Sequence, residues 1–185
     1  LSSSSAASDV FTRQVDAAGL APGQSYCYRF IAIGVISPIG CTRTLPLGAV
    51  SEFKMAVASC SNYAQGFFHA YRDIAGSELN VVLHLGDYLY EYPVGEYVNP
   101  VAEEILGRKV EPELEIEILE DYRMRHGLFR SDPDLEADHA AHAGITVWDD
   151  HEMMNDTWRA GAENHDKCEG DFFQRIHAAR RAYHE

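Results

Sequence analysis

A thiol, a phenol, several carboxylates and an imidazole stand where apolar segments end. Cys60 follows residues 53–58. Asp87 and Tyr90 follow residues 80–85. Asp149, Asp150 and His151 follow residues 144–148. Carboxylates take hard divalent cations, imidazole suits borderline ones, and anionic sulfur or phenolate favours a trivalent or softer metal. A cation placed among clustered carboxylates relieves their mutual repulsion. Both ligand kinds together point to two unlike metals side by side. Such a pair can clamp the attacking and leaving oxygens of a phosphoryl transfer and acidify a bound water. Each residue also has a plainer reading. A buried Cys60 is a small hydrophobe, Asp87 after Gly86 a turn former, Tyr90 and Tyr92 core edge, and the Asp149–Asp150 pair a helix cap. The shared place at strand ends favours the chemical reading.

The elements that must position these groups alternate. Residues 53–58 read as a strand. Residues 65–76 read as a helix, with Phe67, Phe68, Tyr71, Ile74 and Ala75 at helical spacing and Gly76 as its C-terminal cap. Residues 80–85 form a continuous apolar run, the pattern of a parallel strand buried on both faces. Residues 93–112, interrupted by Pro and Gly, read as loop. Helices are expected at about 114–129 and 133–142, the second capped by Ser131 with Pro133 in its first turn. Residues 144–148 make a third strand, 153–169 a loop, and 171 onward a last helix. Alternating strands and helices imply a parallel sheet, whose ligands bind beyond the strand carboxyl ends. The fold class is therefore α/β.

The first fifty residues differ. The chain of 185 residues holds 15 Lys+Arg against 29 Asp+Glu, a net charge of −14. Residues 1–50 carry only Asp9, Asp16, Arg13, Arg29 and Arg43, so almost all the negative charge falls beyond them. A boundary near residue 48 follows, giving units 1–48 and 49–185. In the first unit a Gly19–Gly23 turn precedes an aromatic, β-branched strand at 26–33, and residues 39–45 return as its partner. The run Leu20-x-Pro22-Gly23-x-x-Tyr26 resembles the end of a fibronectin III or immunoglobulin-like β-sandwich. There a tyrosine after the turn bonds back to the upstream backbone. Only about three strands fit, so the sandwich is expected to be truncated. A hairpin turning about Gly34 sets Cys27 opposite Cys41, so a disulfide is possible in an oxidising compartment. No Cys-x-x-Cys spacing occurs, which leaves a zinc knuckle unsupported.

The surplus of acid argues against wrapping nucleic acid, whose affinity rests on Lys/Arg–phosphate contacts. The longest apolar run, residues 30–36, is far short of the ~18 residues a membrane helix needs. His139 and His142, three apart on one expected helix, read as a solvated face. His84 reads as a hydrogen-bonded core residue, and the acidic stretch 111–121 as a solvated face.

Longer motifs carry a resemblance. They are Ser59-Cys60-Ser61-Asn62-Tyr63, Gly66-Phe67-Phe68-x-Ala70-Tyr71-Arg72 and Leu83-His84-Leu85-Gly86-Asp87-Tyr88-x-Tyr90-Glu91-Tyr92. Phe129 to Leu135 and Trp148-Asp149-Asp150-His151-Glu152 follow, with Asn155, Trp158-Arg159 and Gly161 to His165 after them. The chain is similar to the alkaline phosphatase D (PhoD-like) metallophosphatases. The resemblance implies a calcineurin-like metallophosphoesterase sandwich behind an N-terminal β-sandwich, and hydrolysis of phosphate monoesters and diesters with ferric iron and calcium. By it, Cys60 and Tyr90 bind iron and Asp87 bridges the metals. Asp150 is a ligand of the second metal, with Asn155 serving that site. His151 contacts the phosphate or leaving group, and Arg159 meets the phosphoryl charge. It further implies small phosphate-ester substrates and a periplasmic or secreted location. The later family motifs are absent, so the second half of the sheet and the remaining Asp and His ligands are expected beyond Glu185. A non-catalytic binding module and a phospholipase D-type phosphodiesterase are the alternative readings.

Overall fold

The structure, a computed structural model, describes residues 15–185. The N-terminal hairpin comprises β1 (Ser25–Tyr28), β2 (Ile31–Ala32), β3 (Val35–Ile36) and β4 (Gly40–Arg43). Ile33 and Gly34 form its tip with φ of 49° and 79°. Two central residues at positive φ make the tight turn whose twist suits a hairpin. Ile31 faces Ile36, but farther out Cys27 faces Cys41, a slip of one residue between the two ladders. Ser37 fills the extra position. Its backbone N–H donates to the Phe30 carbonyl and its Oγ accepts from Phe30 N–H, both at 2.9 Å. The turn therefore sits where expected and the facing pair is the expected one. The backbone N–H of Ala21 donates to Tyr26 Oη at 2.8 Å, the upstream bond anticipated for this tyrosine.

Beyond the hairpin the chain is built on a three-stranded parallel sheet in the order β5 (Met55–Ala58), β6 (Val81–His84), β7 (Gly144–Thr146). Helix α1 (His69–Ala75) connects the first two strands. Helices α2 (Pro100–Glu104), α3 (Leu119–Arg130) and α4 (Pro133–Ala141) lie between the second and third, and α5 (Phe172–His184) follows. Helix α1 packs on α4, and α3 on α5. His84 turns toward α1, its ring stacked 6.4 Å from Tyr71. On the opposite face the row Val57, Leu83, Ile145 carries apolar side chains, with Val57 and Ile145 exposed. The core gathers Tyr71, Leu89, Ile116, Tyr122, Phe129 and Met154 among others.

Several boundaries differ from the periodicity. The helix read over 65–76 is a 3-10 turn at Tyr63–Gln65 followed by α1. Asn62 caps the turn by accepting from Ala64 N–H, and Gly66 at φ 148° breaks the path between the two. Gly76 ends α1 in the right-handed region, so its freedom at positive φ is not what closes the helix. Helix α2 occupies part of the stretch read as loop, because Asn99 caps Val101 N–H and Pro100 fits the first turn. Asp132, not Ser131, caps α4: its Oδ1 accepts from the N–H groups of Asp134 and Leu135. The capping carboxylate is itself paired with buried Arg108 at 2.6 Å. His139 and His142 do not form a bare solvated face. Nε2 of His139 lies 2.9 Å from Tyr88 Oη, and Nε2 of His142 2.9 Å from the Ile74 carbonyl. The acidic stretch is likewise half inside: Ile116 is buried, and Glu115 pairs with Arg175 at 2.6 Å.

Arg125 of α3 closes the core from behind. Its buried guanidinium donates to five backbone carbonyls, those of Tyr90, Tyr92, Glu111, Pro112 and Leu114. Burial pushes its pKa down to about 10, against the pull of Glu91 and Asp121.

Candidate metal centre

The tips of β5 and β6 are laced together past their last paired residues. Leu85 N–H donates to the Ala58 carbonyl, Cys60 N–H to Gly86, and Ser61 N–H to Asp87. This lacing forces unusual backbone. Cys60 and Asp87, neither of them glycine, sit at φ 56° and 53°. Such left-handed positions cost about 1 kcal/mol or more and persist where surrounding contacts over-determine them. Gly86 lies between them at φ 103°, and a Cβ there would stand 2.5 Å from the backbone nitrogen of Asp149. The absence of a side chain lets the β6 exit touch the β7 exit. Glu152, also buried, locks that contact: its carboxylate accepts from Tyr88 N–H at 2.5 Å and Asp149 N–H at 2.8 Å.

The lacing delivers Asp87 into a ring of candidate ligands. Its Oδ2 accepts from Cys60 Sγ at 3.4 Å and Tyr90 Oη at 3.2 Å. Its Oδ1 is buried and has no hydrogen-bond partner among the described residues. One ligand atom each from Asp87, Asp150 and His151 lie within 4.8 Å of one another. Thiol, phenol, two carboxylates and imidazole thus meet around one buried acid. A buried unpaired carboxylate oxygen costs free energy unless a cation or donor meets it. The Tyr90 phenol is pushed well above its ordinary value, first by burial and then by the neighbouring Asp87 and Cys60. A bound cation would reverse that direction, so this donor set fits a metal.

His151 is held by groups outside the ring. Its Nδ1 lies 2.9 Å from Oε2 of Glu91, which is fully buried. The other Glu91 oxygen accepts from Asn155 N–H at 2.6 Å and Asn164 Nδ2 at 2.7 Å. Burial pushes the His151 imidazole down. The Glu91 bond and the charges of Glu91, Asp87 and Asp150 outweigh it, so the net direction is up. Aromatic rings enclose the imidazole: Tyr90 at 4.4 Å, Tyr92 at 5.5 Å and Tyr97 at 6.3 Å between centroids. Tyr97 is fixed through its carbonyl, which accepts from Asn62 Nδ2 and Gln65 Nε2, both at 2.9 Å.

The structure therefore brings together Cys60, Asp87, Tyr90, Asp150 and His151. Asn155 joins the surround through its backbone on Glu91, while its side-chain amide donates to Glu163. Arg159 is exposed and has no hydrogen-bond or ion-pair partner among the described residues. Glu91, Glu152 and Tyr97 were not singled out from the sequence. A signal existed for Glu91, an acid set between Tyr90 and Tyr92 where a solvated charge would not sit. A cleft of about 570 Å³ opens beside Cys60, lined by Asn62, Phe67, Tyr90 and Tyr97. A cleft of about 610 Å³ lies at the opposite, amino-terminal end of the strands, near Phe53 and Asn80. None of the candidate ligands lines it, whereas Cys60 and Tyr90 line the former.

Two family models match this chain: PhoD-like phosphatase over residues 55–185, and PhoD-like phosphatase, N-terminal domain, over residues 2–46. Alkaline phosphatase D of Bacillus subtilis (strain 168) is 42% identical over 173 residues, which are 92% of this chain and 29% of that protein. A solved structure titled "Structure of PhoD" matches with a TM-score of 0.79 at 39% identity, over 90% of this chain and 31% of that one. The chain spans under a third of the length of these relatives.

Proposed function

The chain belongs to the PhoD-like phosphatase family, and from that premise we propose that its strand tips supply one side of a metal-dependent phosphate-ester hydrolase centre. The observation that carries the reading is the convergence of Asp87, Asp150 and His151 within 4.8 Å, with one oxygen of Asp87 left unpaired. Cys60, Asp87 and Tyr90 would hold a ferric ion, and Asp87 with Asp150 a calcium ion, Asn155 standing beside it. When bound, those ions supply Lewis acidity to the phosphoryl group and lower the pKa of water.

The protein's own residues do the rest. Glu91 accepts from Nδ1–H of His151, which fixes the ring and leaves Nε2 free to face the ester. A proton held at that Nε2 can pass to the leaving oxygen as the P–O bond breaks. Arg159, exposed and without a hydrogen-bond or ion-pair partner among the described residues, would meet phosphoryl oxygens with its planar donor fork. The cleft beside Cys60 admits the organic part of a small ester against Phe67 and Tyr97. The N-terminal hairpin is read as the end of a fibronectin III-like sandwich, supported by the Ala21–Tyr26 bond, with the unit boundary near residue 48. A calcineurin-like sandwich is the matching reading of the second unit, and a periplasmic or secreted location accompanies it. No helix among the described residues is long and apolar enough to cross a membrane.

The test is a rate comparison, made on the whole protein that carries this chain, with an aryl phosphate monoester and the corresponding diester, iron and calcium being supplied and then chelated. Metal-dependent release of the alcohol from either ester is expected, and the ratio of the two rates assigns monoesterase or diesterase character. Metal binding with no turnover of either ester would leave a binding module and overturn the hydrolase reading.

A further inference from the structure

The four cysteines are not equivalent. Cys60 bonds to Asp87 at the metal cluster. Cys168 is exposed on the 3-10 turn at Lys167–Glu169. Cys27 and Cys41 occupy facing positions of the antiparallel β1–β4 ladder, and their sulfurs lie 3.2 Å apart. The one-residue slip at Ser37 creates this facing: continuing the register of β2 and β3 outward would set Cys27 opposite Gly40. We propose that Cys27 and Cys41 form a cross-strand disulfide in the working protein, leaving Cys60 as a thiol for the metal centre.

Three observations support it. The facing register supplies the short separation that a disulfide requires without moving the backbone far. Cys27 is exposed and Cys41 half-buried, so an oxidant can reach the pair. Two sulfurs alone fall short of the four ligands a structural zinc uses, which removes the commonest other reason for pairing thiols. The strands being joined are also those that meet the second unit. Strand β4 packs on α4, and the Tyr28 ring lies against Gly40, where a Cβ would collide with it at 2.4 Å. A covalent bond at 27–41 therefore braces the part of the hairpin that docks.

The reaction is thiol–disulfide exchange with an external disulfide oxidant. The thiolate of one cysteine attacks the oxidant's S–S bond and forms a mixed disulfide. The second thiolate then attacks the protein sulfur of that bond and displaces the oxidant's remaining thiolate. One oxidant thiolate leaves as the mixed disulfide forms and the other as the Cys27–Cys41 bond closes, so oxidised glutathione ends as two glutathione thiols whose protons come from the two protein thiols. The proposal is independent of the hydrolase reading.

The chain is equilibrated with oxidised glutathione, denatured, and treated with a maleimide without reduction. Two labels per chain are expected, on Cys60 and Cys168, where prior reduction gives four. Cleavage after Arg13, Arg29 and Arg43 should release peptides 14–29 and 30–43 as one linked species that separates on reduction. Cys27→Ser should expose Cys41 to the label and abolish the linked species. Four labels after oxidation, or a link from Cys27 to Cys60, Cys168 or a second chain, would overturn the proposal.

Discussion

Nδ1 of His151 rests 2.9 Å from the buried carboxylate of Glu91, sixty residues earlier in the chain. That acid sits beside Tyr90, so one loop provides both a candidate metal ligand and the group that orients the imidazole. Replacing Glu91 by Gln keeps the size and one acceptor but removes the charge. Groups that orient an active residue through a second hydrogen bond typically matter by about 10–100-fold. Turnover of a phosphate ester by Glu91→Gln should fall in that range with KM little changed. An equal loss from Glu91→Gln and His151→Ala, with no further loss in the double variant, would mark the two as one unit; additive losses would separate them.

Asp87 carries a heavier role. It is the acceptor shared by Cys60 and Tyr90, and its second oxygen is unpaired. Asp87→Asn should weaken cation binding by at least about 100-fold, since a direct ligand matters no less than its supporting partner. Titration calorimetry with iron and with calcium checks this. Unchanged affinity for both would remove Asp87 from the centre.

Gly86 is a steric requirement rather than a chemical one. At φ 103°, with Asp149 N 2.5 Å from any Cβ, an added methyl must push the strand exits apart. Gly86→Ala should lose roughly 2–4 kcal/mol of stability, combining backbone strain with overpacking. Urea unfolding measures it, and cation affinity should fall in parallel.

Three histidines shape the acid response of the fold: His84 and His126 are buried, and His139, though exposed as a residue, turns its Nε2 against Tyr88 Oη. Burial lowers His126 to about 3 and His84 and His139 to about 4, and both ring nitrogens of His126 lack hydrogen-bond partners among the described residues. Each folded pKa lies below the unfolded value of 6.5, so between those values the unfolded chain binds more protons. The stability these groups leave intact above pH 6.5 is lost progressively as pH falls toward about 4, and His126 extends the loss to about 3. His126→Phe should lower the slope of stability against pH in that window by up to about 1.4 kcal/mol per pH unit. A slope that does not change would place the acid sensitivity elsewhere.

The convergence of these side chains could be read from the chain because each follows a short apolar strand, and parallel strands bring their carboxyl ends to one edge. Cys60, Asp87 and Asp150 needed only that rule. The hairpin turn was legible from Gly34, but its own register would pair Cys27 with Gly40; the observed facing with Cys41 depends on the one-residue slip at Ser37, which no spacing encodes. Glu91 and Glu152 were not legible in their roles. Each acts on partners sixty or more residues away, or across the Gly86 contact, and no local spacing encodes that. The helix boundary at 65–76 failed because Asn62 and Gly66 act on the backbone more strongly than aromatic periodicity does. Asn155 and Arg159 came from family resemblance, and geometry alone would not have chosen either.

Arg125 has an effect beyond cohesion. By grasping the carbonyls of Tyr90 and Tyr92 on one side and of Glu111, Pro112 and Leu114 on the other, it cinches the neck of the excursion that runs from residue 93 to 110. Insertions or deletions within that excursion need not displace the phenol of Tyr90. A change at Tyr97 would then alter the lining of the cleft without loosening the backbone that presents Tyr90.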